Sequence, residues 1–481
     1  MKYLFLMVFL FSGLAQATDV KPLFKVKTVG STYAYDGLTD EGVKVFKQLR
    51  DALRTRFQLF DNEFKSLRST HHALTVARLF KGNAFLYGPP GGAKSVVVEW
   101  MFKGEQDPAF QLQLHQMMTE QAFVGGQNFE KAKEGVFEVN TKGSLADYKV
   151  ALIDETEKGN PAALSALLSL LNERKIMAGN KVIEAKTETV FATSNANLPE
   201  LQAQFVASGQ GSTAPALLNR FQFKCFVYNW LSADNQAALD KRRDQKRFLS
   251  ALGVVCPEAA AKNEVFLSPP KVDFEQLRLL ANVMVETDSN FQVAYRNLAE
   301  RMRSDTHKAV CESEQRHQKS RYDEPFVYFP SCDYTERLRQ QIPQVILYSA
   351  FIDFLLSDLA DDKNLALTTQ KPLVLGPLSL WRAYLVMTTV GPGDVKLAFN
   401  EAGDAASKID LDFNLTVDEN SVRDHREGQL VKNIKTEQER FKSNFLGLIS
   451  TIQQSISLAA PYSKSSTTDA GADFEFRIRK N

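Results

Sequence analysis

The chain changes its hydrophobic period along its length. From Asp40 to Phe60, apolar residues recur at Val43, Phe46, Leu49, Leu53 and Phe57, the spacing of one helical face. A second helical stretch runs from Phe64 to Phe80. The pattern then shortens. Asn83 to Tyr87, Tyr148 to Ile153 and Thr189 to Thr193 are brief apolar runs with the length of buried strands. Val20 to Tyr35 has weaker strand character. A helix is expected from Val96. Another is announced by Asn160 as N-cap and Pro161 in its first turn, with Leu164, Leu167, Leu168 and Leu171 as its buried stripe. Gly179-Asn180, between Ile176-Met177 and Val182-Ile183, predicts a hairpin turn. Strands alternating with helices predict an α/β fold with a parallel sheet flanked by helices. Such sheets bind ligands beyond the carboxyl ends of their strands.

From about Leu231 the pattern turns helical, with helices expected over Phe274 to Val285, Phe291 to Met302 and Arg337 to Leu359. Val254 to Tyr334 contains Pro269-Pro270 and a charged stretch and reads as an insertion. Lys371 to Val390 reads as a strand or loop followed by a helix. Gly391-Pro392-Gly393 breaks the pattern. Beyond it lie a charged region, an amphipathic helix near Leu430 to Ala459, a Ser/Thr-rich linker and a final FEFRIR alternation. That alternation suits an edge strand or a partner contact on a surface tail.

The first residues read as an address. Lys2 precedes an apolar run from Leu4 to Leu14, and Ala15-Gln16-Ala17 is an A-x-A cleavage pattern before Thr18-Asp19. These are the parts of a secretory signal peptide cleaved after Ala17. The run is shorter than the ~20 residues that span a bilayer. The expected address is therefore export through the Sec pathway, periplasmic or secreted, with an uncleaved signal anchored in the inner membrane as the alternative. No second span is evident in the mature chain.

Four segments follow from this reading: a signal peptide over 1–17, an α/β core over 18–230, a helical region with an insertion over 231–390, and a C-terminal extension over 391–481. A net charge of +1 gives no broad basic field for nucleic acid or acidic lipid. Cys225, Cys256, Cys311 and Cys332 form no C-x-x-C pair, which argues against zinc. They leave open whether an exported chain carries disulfides, with three connectivities available. His71, His72 and His115 have no metal-ligand spacing.

The chemistry concentrates at the predicted strand ends. After Tyr87 comes Gly88-Pro89-Pro90-Gly91-Gly92-Ala93-Lys94-Ser95. Glycines there let backbone N–H groups turn toward an anion at the start of a helix, whose dipole favours negative charge. Lys94 would reach the β- and γ-phosphates of ATP, and Ser95 would hold Mg²⁺. Ala93 stands where this loop usually has glycine. Alanine fits there with a negative φ, as in the first helical turn. The strand at Tyr148 to Ile153 ends in Asp154-Glu155, with Asp154 suited to the metal and Glu155 to polarising the attacking water. Asn195 closes the next strand and is placed to orient that water or touch the γ-phosphate. Arg220, in ALLNRFQFK, is placed to act as a finger on a neighbouring subunit's nucleotide.

In their order, FLYGPPGGAKS, TEQAFVGG, ALIDETEKGNPAALSALLSLLNERK, FATSNANLPE and ALLNRF make the chain from roughly Leu49 to Trp230 resemble the MoxR family of AAA+ ATPases, and most of all its RavA-like branch. Alanine before the P-loop lysine belongs to that branch's pattern. The resemblance implies an AAA+ core followed by an α-helical lid, and a homo-hexameric ring with ATP at the subunit interfaces. It also implies a chaperone-like role on protein partners, often alongside a von Willebrand A domain protein. It further implies a sensor arginine in the lid, for which Arg382 in GPLSLWRAYL is the candidate. After Trp230 the match is loose. The residues thus favour a Mg-dependent ATPase, and the resemblance implies that it remodels or matures partner proteins. An exported nucleotide-binding structural or regulatory protein with little turnover is the second reading, and a small-molecule kinase is the third.

Overall fold

The structure, a computed structural model, describes residues 23–29, 32–64, 67–88, 90–136, 138–178, 181–196, 198–207, 213–227, 240–241, 269–287, 336–356, 360–362, 373–375, 394–399, 405–412 and 476–478. The signal segment, the Gly179-Asn180 turn, the helices expected at Phe291 to Met302 and Leu430 to Ala459, and Cys256, Cys311 and Cys332 lie outside them.

The chain begins with an antiparallel hairpin of β1 (Phe24–Val29) and β2 (Thr32–Leu38). Helices α1 (Asp40–Phe64) and α2 (Arg68–Phe80) follow, as the helical spacing predicts. Strand β3 (Ala84–Tyr87) leads through the glycine-rich loop into α3 (Lys94–Lys103), and β4 (Phe110–Gln113) comes next. Short elements fill the stretch before the next long strand: α4 (Gln121–Val124), β5 (Gly126–Gln127), α5 (Phe129–Lys133) and β6 (Val139–Asn140), with β5 and β6 paired. Strand β7 (Val150–Asp154) precedes α6 (Pro161–Glu173), and β8 (Lys175–Ala178) pairs with β9 (Lys181–Glu184) as the expected hairpin. Strand β10 (Thr189–Ser194), α7 (Leu198–Ala207), α8 (Thr213–Leu218) and β11 (Phe223–Phe226) complete this part. Beyond it are α9 (Phe274–Met284), β12 (Val285–Thr287), α10 (Glu336–Leu356), β13 (Leu373–Leu375), β14 (Asp394–Phe399), β15 (Ala405–Asp412) and β16 (Phe476–Ile478). The FEFRIR alternation supplies β16, which lies at the edge of a three-stranded sheet against β13.

The central sheet has five strands in the order β11-β3-β10-β7-β4, every neighbouring pair parallel. The predicted α/β architecture is the observed one. Two of its strands, β4 and β11, escape the sequence reading. The first is short and alternates apolar with glutamine (FQLQ), and the second is four residues long with a lysine inside it.

Successive strand residues face opposite sides, and here each side meets its own apolar cluster. Ala84, Leu86, Val150, Leu152, Phe191 and Phe223 pack with α1, α2 and α3 on one face, and α9 and α10 join the same cluster. Phe85, Tyr87, Ala151, Ile153, Val190 and Ala192 pack with α6, α7 and α8 on the other. Strands β3, β7 and β10 are buried on both faces, and this is why they read as continuous apolar runs.

Two details fix the helices that carry the site. Asn160 caps α6, its Oδ1 accepting from the Ala163 N–H at 2.9 Å while its Nδ2 donates to the carbonyls of Gln116 (3.0 Å) and Met118. At the far end of α3, the buried Arg56 donates from Nη2 to the Met101 carbonyl at 2.8 Å and lies over the rings of Trp100 and Phe274. A cation there complements the helix dipole. Burial pushes its pKa down to about 10. Gly104 leaves room for that guanidinium, since a Cβ would collide with Arg56 Nη1.

Candidate nucleotide site

The site lies where four parallel strands end. Register pairs Tyr87 with Ser194 and Gln113 with Asp154, so the loops after β3, β7, β10 and β4 open on one edge. Gly88 and Gly91 have φ of 144° and 80°, which lets the loop turn back over the start of α3. No side chain caps that helix, and its first N–H groups suit an anion. Pro90 and Gly91 are exposed, Gly92 is buried, and Pro89 lies outside the described residues.

Ala93 corrects the sequence expectation. It is the N-cap of α3, not a residue of its first turn, and its φ is +64°. The loop demands a left-handed residue immediately before the helix. An alanine there carries roughly 1–2 kcal/mol of conformational strain relative to a right-handed placement.

Lys94 is only 5% exposed, and its Nζ donates to the Gly88 carbonyl at 2.9 Å. Burial pushes its pKa below the usual lysine value, opposed by the negative charges of Glu157 and then Asp154. The Ser95 hydroxyl lies 3.0 and 2.9 Å from the two carboxylate oxygens of Asp154. Asp154 also accepts from the Thr193 hydroxyl and from the Glu155 N–H at 3.0 Å. A serine hydroxyl beside a carboxylate is a hard oxygen donor set. It fits Mg²⁺, which takes one or two protein ligands and draws the rest from water and substrate phosphates. Among the described residues no group of three or more His, Cys, Asp or Glu gathers as a metal cage. His71 and His72 are buried instead, with His71 stacked on Phe60 at 4.2 Å.

Glu155 follows with φ of +54°, an unfavourable backbone for glutamate of the kind that collects at functional sites. Its Oε2 accepts from Lys158 Nζ at 2.8 Å and Gln113 Nε2 at 2.5 Å. The bond from Lys158, and next that from Gln113, holds its carboxyl below the usual glutamate range. Asn195 is exposed just past β10, and its backbone N–H donates to Glu157 Oε1 at 3.3 Å. Lys94, Ser95, Asp154, Glu155 and Asn195 therefore share one edge of the sheet.

Arg220 sits on the turn after α8, its Nε donating to the Leu168 carbonyl at 3.1 Å and its Nη1 to that of Ala216 at 2.5 Å. Its own carbonyl accepts from the buried Asn83 at 3.0 Å. Arg382 lies outside the described residues. Sequence reasoning missed three residues of the site: Gln113, Thr193 and Glu157. Thr193 carries a faint signal as a polar residue near the end of an apolar strand and Glu157 as the second acid of the ETEK turn, while Gln113 ends a strand that alternates in polarity.

Residues 51–242 match a family model described as the MoxR domain in the MoxR-vWA-beta-propeller ternary systems. Two uncharacterized proteins of Methanocaldococcus jannaschii are each 27% identical to the chain. One match runs over 199 residues, 41% of this chain and 47% of the relative. The other runs over 158 residues, 33% of this chain and 39% of the relative. The chain thus spans less than half the length of the curated relatives it matches. A crystal structure of a candidate ATPase from Cytophaga hutchinsonii covers 72% of this chain and 89% of that one, at 15% identity and a TM-score of 0.46.

Proposed function

We propose that residues 51–242, a MoxR-type AAA+ domain, bind ATP and hydrolyse it with Mg²⁺. The observation that carries this reading is the Ser95 hydroxyl lying against both oxygens of Asp154, one residue from the buried Lys94. The N–H groups of the loop and of the first turn of α3 cradle the phosphates, and Lys94 neutralises their terminal oxygens. Ser95 and Asp154 would hold Mg²⁺, which when bound neutralises charge on the phosphate oxygens. Glu155, kept ionised by Lys158 and Gln113, takes the proton of the attacking water, and Asn195 orients that water. Hydrolysis needs no covalent intermediate on the protein, so positioning and charge carry the rate.

The finer reading is that six copies form a ring. Arg220 then reaches the nucleotide of the adjacent subunit, and Arg382 contacts nucleotide from the helical region. The ring remodels or matures a protein partner, and the family match favours one with a von Willebrand A domain. The signal segment directs the chain out of the cytoplasm, with cleavage after Ala17.

Complementation tests the ring. Lys94→Ala and Arg220→Ala are each inactive alone. Mixed subunits regain turnover when an intact finger faces an intact phosphate site, and ATP shifts the species to six copies by light scattering. Inactive mixtures of folded, co-assembled subunits would contradict action across an interface.

A further inference from the structure

The turn after β7 carries a further acid beyond the Asp154-Glu155 pair. Glu157 sits two residues beyond Glu155 on the short helical turn Thr156–Lys158. Its two oxygens have different surroundings. Oε1 accepts the backbone N–H of Asn195 at 3.3 Å. Oε2 is buried and accepts no hydrogen bond among the described residues. A buried carboxylate oxygen without a donor is unfavourable, so a fold retains one where a charge or a changing partner uses it. Burial pushes the Lys94 pKa down, and the negative charge of Glu157, with that of Asp154, opposes that shift. The lysine of the turn itself, Lys158, is held by Glu155 at 2.8 Å.

We infer that Glu157 is a positioning residue of the nucleotide site, joining the phosphate-binding Lys94 to the water-orienting Asn195 and competing with the terminal phosphate for the lysine. Without nucleotide, its carboxylate is the counter-charge of a buried ammonium. When a triphosphate arrives, Lys94 turns its charge to the phosphate oxygens, and Glu157 keeps only its bond to the Asn195 backbone. The charge therefore weakens nucleotide binding, while the Oε1 acceptor fixes the end of β10 where the attacking water is oriented. The two roles reside on separate features of one side chain, and two substitutions separate them. Glu157→Gln removes the charge and keeps an acceptor. Glu157→Ala removes both.

This inference rests on the ATPase reading, and the test separates the two. Binding of ATP and ADP with Mg²⁺ is measured at pH 7.5 by calorimetry, and turnover by phosphate release, for the full chain and both variants. The expected result is a Kd for ATP about three- to tenfold lower in both variants. Glu157→Ala, but not Glu157→Gln, loses about tenfold or more in kcat. A purely structural role moves Tm and kcat together and gives no gain in affinity. A parent chain that binds ATP, with Glu157→Gln binding it equally or more weakly, overturns the inference alone. A parent chain that binds no nucleotide overturns the ATPase reading and this inference with it. Circular dichroism melts establish that each variant is folded, and Glu157→Gln, which keeps size and acceptor, carries the test if Glu157→Ala does not fold.

Discussion

The Ser95 hydroxyl lies within 3.0 Å of both carboxylate oxygens of Asp154, although 59 positions separate the two residues in the chain. The contact forms because β7 and the start of α3 end at one sheet edge. It assembles the hard-oxygen pair that a magnesium–phosphate complex requires. Asp154→Ala is expected to lower kcat by about a thousandfold, the scale of losing a metal's charge stabilisation. Ser95→Ala should raise the Mg²⁺ concentration for half-maximal turnover. Magnesium titration of phosphate release checks both, and an unchanged midpoint in Ser95→Ala would contradict the assignment.

Ala93 adopts φ of +64° at the N-cap of α3. Glycine would remove about 1–2 kcal/mol of strain and return about 0.4–1 kcal/mol through the entropy of the unfolded chain. Ala93→Gly should therefore stabilise by up to about 1.6 kcal/mol, where alanine-to-glycine changes at helix positions normally destabilise. Urea denaturation decides the sign.

Asn83 joins four parts of the core before the phosphate loop. Its Nδ2 donates to the carbonyls of Leu171 (3.2 Å) and Arg220 (3.0 Å), and its Oδ1 accepts from the Val190 N–H (3.2 Å) and Arg174 Nη2 (2.8 Å). Removing a buried side chain with these bonds strands several polar groups. Asn83→Ala should cost about 3 kcal/mol. A loss below about 1 kcal/mol in urea denaturation would show that the partners find other bonds.

How much was legible follows from these residues. Helices α1, α2 and α6 were readable because their periodicity, and for α6 the Asn160-Pro161 start, agree with the packing that forms. Strands β3, β7 and β10 were readable because burial on both faces makes them apolar throughout. The motif residues Lys94, Ser95, Asp154, Glu155 and Asn195 were legible because each lies at the end of such a strand or just past the loop that leaves it. Gln113 and Glu157 were not. The first ends a short strand that alternates in polarity, and the second becomes informative only when Asn195 and Lys94 are brought beside it. The φ of Ala93 was misread because the same residue can open a helical turn or precede one, and only the geometry of the loop distinguishes them.

Glu155 is held below the usual glutamate range, first by Lys158 and then by Gln113. A general base works in its ionised form, so a depressed pKa extends activity to lower pH. The acid limb of kcat/KM for the free enzyme should fall below the ordinary glutamate value of about 4.3. Lys158→Met and Gln113→Ala should each move that limb upward, Lys158→Met by more. Rates measured across the acid range where each variant stays folded test this, and coincident limbs would contradict it.

The central claim is that this strand-end cluster cleaves ATP with Glu155 as the base. Its most direct measurement is ATP binding and single-turnover hydrolysis by Glu155→Gln beside the parent chain. The expected result is a Kd within about threefold of the parent and a hydrolysis rate at least about a hundredfold lower. A folded Glu155→Gln that cleaves bound ATP at the parental rate would contradict it.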